Sequence, residues 1–241
     1  MNNIQSQALA APAVTRAGWS SIAKKVLMAV TGGTFILFVT GHMVGNLQLF
    51  LGQDQLNKYA AALQHLGGLL WIIRLLLLGF LTMHIWTGVR LYLQNRSARP
   101  GRYAKEDTVQ ASLSSRTMFW TGLGVLLYVV YHLAHFTFLT TNPEYVGLHD
   151  SLGRHDVYSM VILGYQNGWI SATYILAMAF IALHVNHALP SLLQTLGLTK
   201  PKYRTALKRL GNLAAIVLFV GYVSMPVAVL AGYITLPGGG H

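Results

Sequence analysis

Charged side chains cluster along this chain and leave five long uncharged stretches between the clusters. Residues 26–53, 117–143, 157–199 and 210–241 contain no Asp, Glu, Lys or Arg. A fifth such stretch, 75–89, extends back to Tyr59 with Arg74 as its single interruption. A hydrocarbon core about 30 Å thick needs about 20 apolar residues per crossing helix. The 157–199 stretch is too long for one helix, and Gly164, Asn167 and Gly168 mark the expected break. The pattern therefore predicts five transmembrane helices, near 25–51, 69–94, 117–140, 168–196 and 208–235. Such helices satisfy their own backbone hydrogen bonds, which lipid cannot do. The strict alternation of a membrane barrel is absent. The expected fold is an all-α integral membrane protein, a single membrane domain over 1–241. Residues 1–18 form a polar N-terminal segment without the basic, apolar and cleavage regions of a signal peptide. Gly238–His241 reads as a loose tail, and no short-period repeat stands out.

Composition sharpens this picture. Hydrophobic residues make up 54% of the chain and charged residues 10%, against roughly 25% charged in average soluble chains. That balance excludes disorder, a coiled coil and an ordinary soluble domain. The absence of Cys excludes disulfides, thiolate metal sites and iron–sulfur ligation by this chain. In a polar chain a net charge of +11 would point to nucleic acid. In one this apolar it points to basic cytoplasmic loops, with no nucleic-acid partner expected.

The cations fix an expected orientation. Arg16, Lys24 and Lys25 precede the first helix. Arg96, Arg99, Arg102, Lys105 and Arg116 lie between the second and third, with Arg90 just inside the second. Lys200, Lys202, Arg204, Lys208 and Arg209 lie between the fourth and fifth. The other side has Lys58, Arg74 and Arg154 among Asp54, Glu144, Asp150 and Asp156. The positive-inside rule then places the N-terminus in the cytoplasm and the C-terminus outside, in a bacterial cytoplasmic membrane.

Histidine supplies the candidate chemistry. Of ten His, six fall at membrane depth: His42, His84, His132, His135, His184 and His187. Ionisable groups there are costly and face the bundle interior or a functional site. A lone His in a helix is usually a hydrogen-bonded structural residue, but four helices each carrying one is what pairs of axial haem ligands require. At about 1.5 Å rise per residue, His42 and His132 lie roughly 21–24 Å from the cytoplasmic edge. His84 and His184, on helices running the other way, lie roughly 12–14 Å from it. Two levels emerge, His84 with His184 on the inner side and His42 with His132 on the outer side. Each could clamp one iron in a four-helix haem-binding core, with a fifth, His-free helix as lipid-facing scaffold kinked at Pro226. His135 and His187 each follow another His by three residues on nearly the same face, and spacing does not choose within either pair.

Other residues attach to this reading more loosely. Gly32, Gly33, Gly41, Gly45, Gly122 and Gly124 suit close approach of helices or of a flat macrocycle. Haem propionates need cationic or hydroxyl partners. Arg90, Arg116, Ser191, Ser20 and Ser21 are candidates on the inner side, and Arg74 on the outer side, where snorkelling to the interface is the plain alternative. Trp71, Tyr59, Trp169 and Tyr233 read as interfacial belt residues.

Four runs occur in order on the expected helices. They are Met28–Gly32 (MAVTG) with Gly41–Gly52 (GHMVGNLQLFLG); Leu69–Arg74 (LLWIIR) with His84–Leu91 (HIWTGVRL); Ser115–Gly122 (SRTMFWTG) with Tyr131–Phe136 (YHLAHF); and Leu183–Gly197 (LHVNHALPSLLQTLG). In these runs, and in Leu56–Leu63 (LNKYAAAL), the chain resembles the cytochrome b membrane-anchor subunits of succinate:quinone oxidoreductase (complex II). The likeness is to the single-chain, five-helix, di-haem branch shared with quinol:fumarate reductases. It implies axial ligation of two haem b groups by four His. His42 follows the Gly of a GH pair, and His84 opens the HxxxGVR run. Ten residues after the Gly of Thr121–Gly122 the resemblance selects His132 over His135. Thirteen residues before Gly197 it selects His184 over His187.

The resemblance further implies two partner chains on the basic cytoplasmic face, a flavoprotein that oxidises succinate at FAD and an iron–sulfur protein. Electrons would pass through the inner and then the outer haem to menaquinone or another quinone. The chain would be the quinone-reacting subunit of an enzyme whose succinate oxidation resides on a partner. Fumarate reductases of this branch place Glu two residues before the helix 4 ligand, where this chain has Ala182. Near the start of the second helix, where members place an acidic residue, it has Gln64 and His65. Both departures favour the succinate-oxidising direction and make Gln64 and His65 candidates for an outer quinone site. The alternatives are a fumarate reductase anchor, another di-haem cytochrome b of hydrogenase or formate dehydrogenase type, and a non-haem membrane transporter.

Overall fold

The computed structural model describes residues 19–97 and 113–238. The polar segment 1–18 with Arg16, the loop cations Arg99, Arg102 and Lys105, and residues 239–241 lie outside the described residues.

The first helix, α1, spans Ser21–Asn46. It starts at Ser20, whose hydroxyl accepts the Ala23 N–H at 3.1 Å, satisfying one of the free donors of the first turn. A 3-10 turn, Leu47–Leu51, continues it. Gly52, at φ +94°, then turns the chain into α2, Gln53–Gln64. The remaining helices are α3 (Gly68–Ser97), α4 (Leu113–Arg116), α5 (Met118–Phe136), α6 (Val157–Gln166), α7 (Gly168–Thr195) and α8 (Arg204–Leu230). Five helices are long and apolar enough to cross a membrane: α1 with its 3-10 extension, α3, α5, α7 and α8. No strand occurs among the described residues, only an isolated bridge between His149 and His155.

The differences from expectation have local causes. The expected break falls between α6 and α7 at Asn167, whose side-chain oxygen accepts the N–H groups of Trp169 (3.0 Å) and Ile170 (3.3 Å) and so caps α7. Helix α5 stops at Phe136, short of the expected 140. There the Phe138 N–H bonds back to the Leu133 carbonyl and the Thr140 N–H to that of Ala134, with Leu139 in the left-handed region. The short helices α2 and α6 were not expected. The first is too polar to read as a span, and the apolar run of the second merges with that of α7.

Small residues set the tightest contacts. A Cβ on Gly211 of α8 would stand 2.6 Å from the Asn186 carbonyl oxygen of α7, so these two helices meet backbone to backbone. A Cβ on Gly124 of α5 would meet the Phe180 ring of α7 at 2.6 Å. Pro226 is buried inside α8, and the helix continues past it to Leu230. Helix α3 packs mainly on α1 and keeps only Thr87 fully buried, so its long apolar surface faces outward.

Helices α2 and α6 form a cap over one end of the bundle. Its centre is Asn57, which has no solvent exposure. Its amide donates to Asp150 (3.1 Å) and Asp156 (2.9 Å), and its carbonyl oxygen accepts the Tyr158 N–H at 3.0 Å. Gln53 adds a 2.8 Å bond to Asp156. Arg154 joins Asp150 at 2.7 Å and the exposed Asp54 at 2.8 Å. Burial pushes the Asp150 carboxyl up, but hydrogen bonds from Arg154, Asn57 and the N–H groups of Arg154 and Leu152 outweigh it and hold the pKa at about 2. Burial likewise raises Asp156, and bonds from Ser159, Asn57 and Gln53 bring it below the ordinary carboxylate value. Beneath this network Leu49, Leu56, Ile162 and Tyr165 pack with Tyr174 and Met225. Lys24, Lys25, Arg90, Arg96, Arg116 and Lys200 to Arg209 fall at the opposite ends of the spanning helices.

Candidate functional site

The bundle interior holds two facing pairs of imidazoles from four helices. Near the cap, His42 of α1 faces His132 of α5 with ring centroids 5.8 Å apart. Nearer the basic end, His84 of α3 faces His184 of α7 at 6.3 Å. The structure thus brings the four residues together in the two combinations expected from helix rise. Metal–imidazole bonds are about 2 Å long, so rings on opposite faces of one metal stand with centroids roughly 6 Å apart. Both separations fit that requirement.

On the basic side, each ring is held by the same device. Thr31 Oγ1 lies 3.0 Å from His84 Nδ1, and Thr121 Oγ1 lies 3.4 Å from His184 Nδ1. Both hydroxyls donate their own proton to a backbone carbonyl one turn back, Leu27 at 2.8 Å and Met118 at 3.1 Å. Each therefore accepts from Nδ1–H, which leaves Nε2 bare, the form that binds a metal. The next residue completes the device. A Cβ on Gly32 would stand 3.3 Å from His84 Cε1, and one on Gly122 would stand 3.3 Å from His184 Cε1. The ring edges lie close against the helix backbones, so a side chain at either Gly would press on the ring.

The recurrence extends along both helices. The sequence Met-x-x-Thr-Gly followed after nine residues by His occurs at Met28–His42 and again at Met118–His132. The second copy sits 90 positions after the first (Thr31 to Thr121, His42 to His132). In each copy the Thr-Gly pair holds the basic-side ring and the terminal His supplies a cap-side ring. A search for short periods misses this, because the period spans two helices and the intervening loop.

The cap-side pair sits in a different setting. His42 stacks on Phe38 with centroids 5.5 Å apart. His132 Nδ1 lies 3.4 Å from the Tyr174 hydroxyl. A cavity of about 290 Å³ opens beside the pair, lined by His42, His132, Asn46, Arg74, Tyr128 and Tyr222 among others. Tyr222 comes from α8 and donates to the Val39 carbonyl at 2.7 Å. The fifth spanning helix is thus more than lipid-facing scaffold, since it walls this cavity. A second, outward-opening cavity of about 450 Å³ is lined by Gln64, His65, His149 and His155, and shares Gln64 and His155 with the first.

The remaining candidates fall as follows. Arg74 reaches the cap-side cavity and packs its guanidinium over Trp71 at 5.0 Å. Gln64 lines both cavities, whereas His65 lines only the outward-opening one. Arg90 lies over the Trp86 ring at 5.8 Å, six residues past His84. Ser191 is half-buried, seven residues past His184 and so on nearly the same face. Arg116 is exposed at the end of α4. His135 is fully buried and bonds Tyr174 through Nδ1 at 3.0 Å; neither it nor His187 belongs to a facing pair. Tyr174 and Tyr222 were not singled out in the sequence; Thr31 and Thr121 stand there only within the family-like runs, and the 90-position recurrence marks them as ring partners.

Among the described residues no cluster of three or more His, Asp or Glu forms a metal site. Two-ligand pairs suit a metal whose other ligands come from a macrocycle rather than from protein. Compared with protein-family models, curated proteins and solved structures, the chain matches none.

Proposed function

We propose that this protein is the di-haem b membrane anchor of a succinate dehydrogenase, carrying electrons from an iron–sulfur partner to a membrane quinone. The observation that carries the reading is the pair of imidazole pairs, stacked at two levels and drawn from four helices. On the basic side both rings are also held in the tautomer with a free Nε2. His84 and His184 would hold one haem b, His42 and His132 the other. When bound, the groups supply one-electron redox chemistry. The protein's part is to fix the rings, exclude water and tune the ligands through their hydrogen bonds. A transporter has no need of two matched imidazole pairs with fixed tautomers.

The cavity beside the cap-side pair supports a quinone site there. Arg74 and Gln64 offer donors to a carbonyl oxygen, and Tyr128 and Tyr222 offer flat apolar walls. The choice of menaquinone, the succinate-oxidising direction, the flavoprotein partner and the cytoplasmic placement of the basic end follow from the family resemblance and the positive-inside rule. The deciding experiment is a pyridine haemochrome assay on the purified membrane complex, normalised to this chain. Two b haems per chain are expected. A complex without b haem would return the four His to structural or proton-relay roles.

A further inference from the structure

His132 and His135 stand one turn apart on α5, and both reach the same hydroxyl. Tyr174 Oη of α7 lies 3.4 Å from His132 Nδ1 and 3.0 Å from His135 Nδ1. His135 has no solvent exposure, and its Nε2 has no hydrogen-bond partner. The ring is immobilised: Phe136 and Tyr131 stack against it at 4.0 and 5.5 Å, and a Cβ on Gly164 of α6 would stand 3.3 Å from Nε2. A ring with an unpaired buried nitrogen is costly to keep, and packing alone is served better by Leu or Phe. The purpose is therefore to be sought at the other nitrogen.

One hydroxyl proton lies between two ring nitrogens. Tyr174 can donate to one and must accept from the other. With Nε2 of His132 committed to a metal, that neutral ring carries its only proton on Nδ1 and donates it to Tyr174. The Tyr174 proton then goes to His135 Nδ1, and His135 keeps its own proton on Nε2. All three members stay neutral, and every proton is accounted for. We propose that Tyr174 and His135 are positioning residues. They hold His132 in its metal-binding tautomer and set its donor strength, and hence the redox potential of the cap-side haem alone. The inference rests on His132 being an axial ligand. Donation from Nδ1–H raises the basicity of a ligating imidazole, which favours the oxidised metal. Donation from Tyr174 onward to His135 makes its oxygen the better acceptor. On the basic side the corresponding Thr hydroxyls end on backbone carbonyls, so only the cap-side chain ends on a replaceable side chain.

The test is an optical redox titration of the purified complex with its partner subunits, preceded by the haemochrome assay. In Tyr174→Phe the cap-side haem should shift to higher potential. His135→Leu should give a smaller shift of the same sign. His135→Asn, which keeps an acceptor near the position of Nδ1, should return the potential toward the parent value. The other haem should not move in any of the three. Two haems with unshifted potentials in Tyr174→Phe and His135→Leu would overturn the proposal. So would loss of the cap-side haem from both His135 variants, which marks a packing role. A parent complex without haem overturns the ligand reading itself, and is seen before any variant is made.

Discussion

The two imidazole pairs share a spacing but not a setting. The basic-side pair is held on both sides by Thr hydroxyls whose protons end on backbone carbonyls, with Gly backbone against each ring edge. The cap-side pair adjoins a cavity and is tied through Tyr174 to a buried His, with Tyr222 and Arg74 at the cavity wall. One site is held symmetrically, the other asymmetrically and beside a cavity. On the proposed reading, the same pair of imidazoles would serve two tasks because its surroundings differ. A rigidly held pair suits transfer between fixed partners, and a pair beside a cavity suits exchange with a mobile molecule.

The comparison can be broken most directly by removing a ligand. His84→Ala or His184→Ala should lower the haem content from two per chain to one and leave the cap-side haem in place. Unchanged content in either variant would sink that assignment. His42→Ala should do the converse, and loss of both haems there would show that the two levels do not assemble independently. A gentler cut removes the Thr device. Thr31→Val and Thr121→Val should weaken basic-side haem retention by about 10–100-fold, the usual cost of losing an outer-shell partner. Competition with a haem scavenger would measure this, and an equal loss at the cap-side haem would erase the distinction drawn here.

Smaller effects are expected at the cavity and the cap. Gln64→Ala and Arg74→Ala should slow quinone turnover while two haems remain; full turnover in both would move the quinone site away from this cavity. The Asp150 carboxyl, held at about 2, adds stability that is fully present above its unfolded pKa of about 3.9 and is lost as pH falls through 2. Asp150→Asn should therefore lower the thermal stability of the cap at neutral pH and flatten its loss between about pH 4 and 2. Limited proteolysis of the 148–156 loop would report both, and a loop indifferent to acid and to the substitution would discount the network.

Much of this was legible in the chain. Charge-free stretches mark the five helices long and apolar enough to cross a membrane, because such a helix announces itself by what it lacks. The levels of His42, His84, His132 and His184 follow from helix rise alone. What was not legible has a common cause. Tyr174 and Tyr222 look like any apolar-helix aromatics until the helices are packed, and the acceptor of a ring nitrogen is a three-dimensional fact. Helix α2 hides because it is polar, and α6 hides because its apolar run joins that of α7. The choice of His132 over His135 needed either the family resemblance or a view of which ring faces across the bundle.

The clamp on Asn57 has a consequence for how the molecule is made. Its partners Asp150, Asp156 and Tyr158 lie 93 to 101 positions further along the chain. Three of the long apolar helices, α1, α3 and α5, are synthesised before the first of those residues exists to be bonded. Closure of such a distant loop is slow compared with local helix formation. A chain whose long helices pack in another order cannot bring Asn57 against Asp150, Asp156 and Tyr158, so the clamp closes only on the native arrangement.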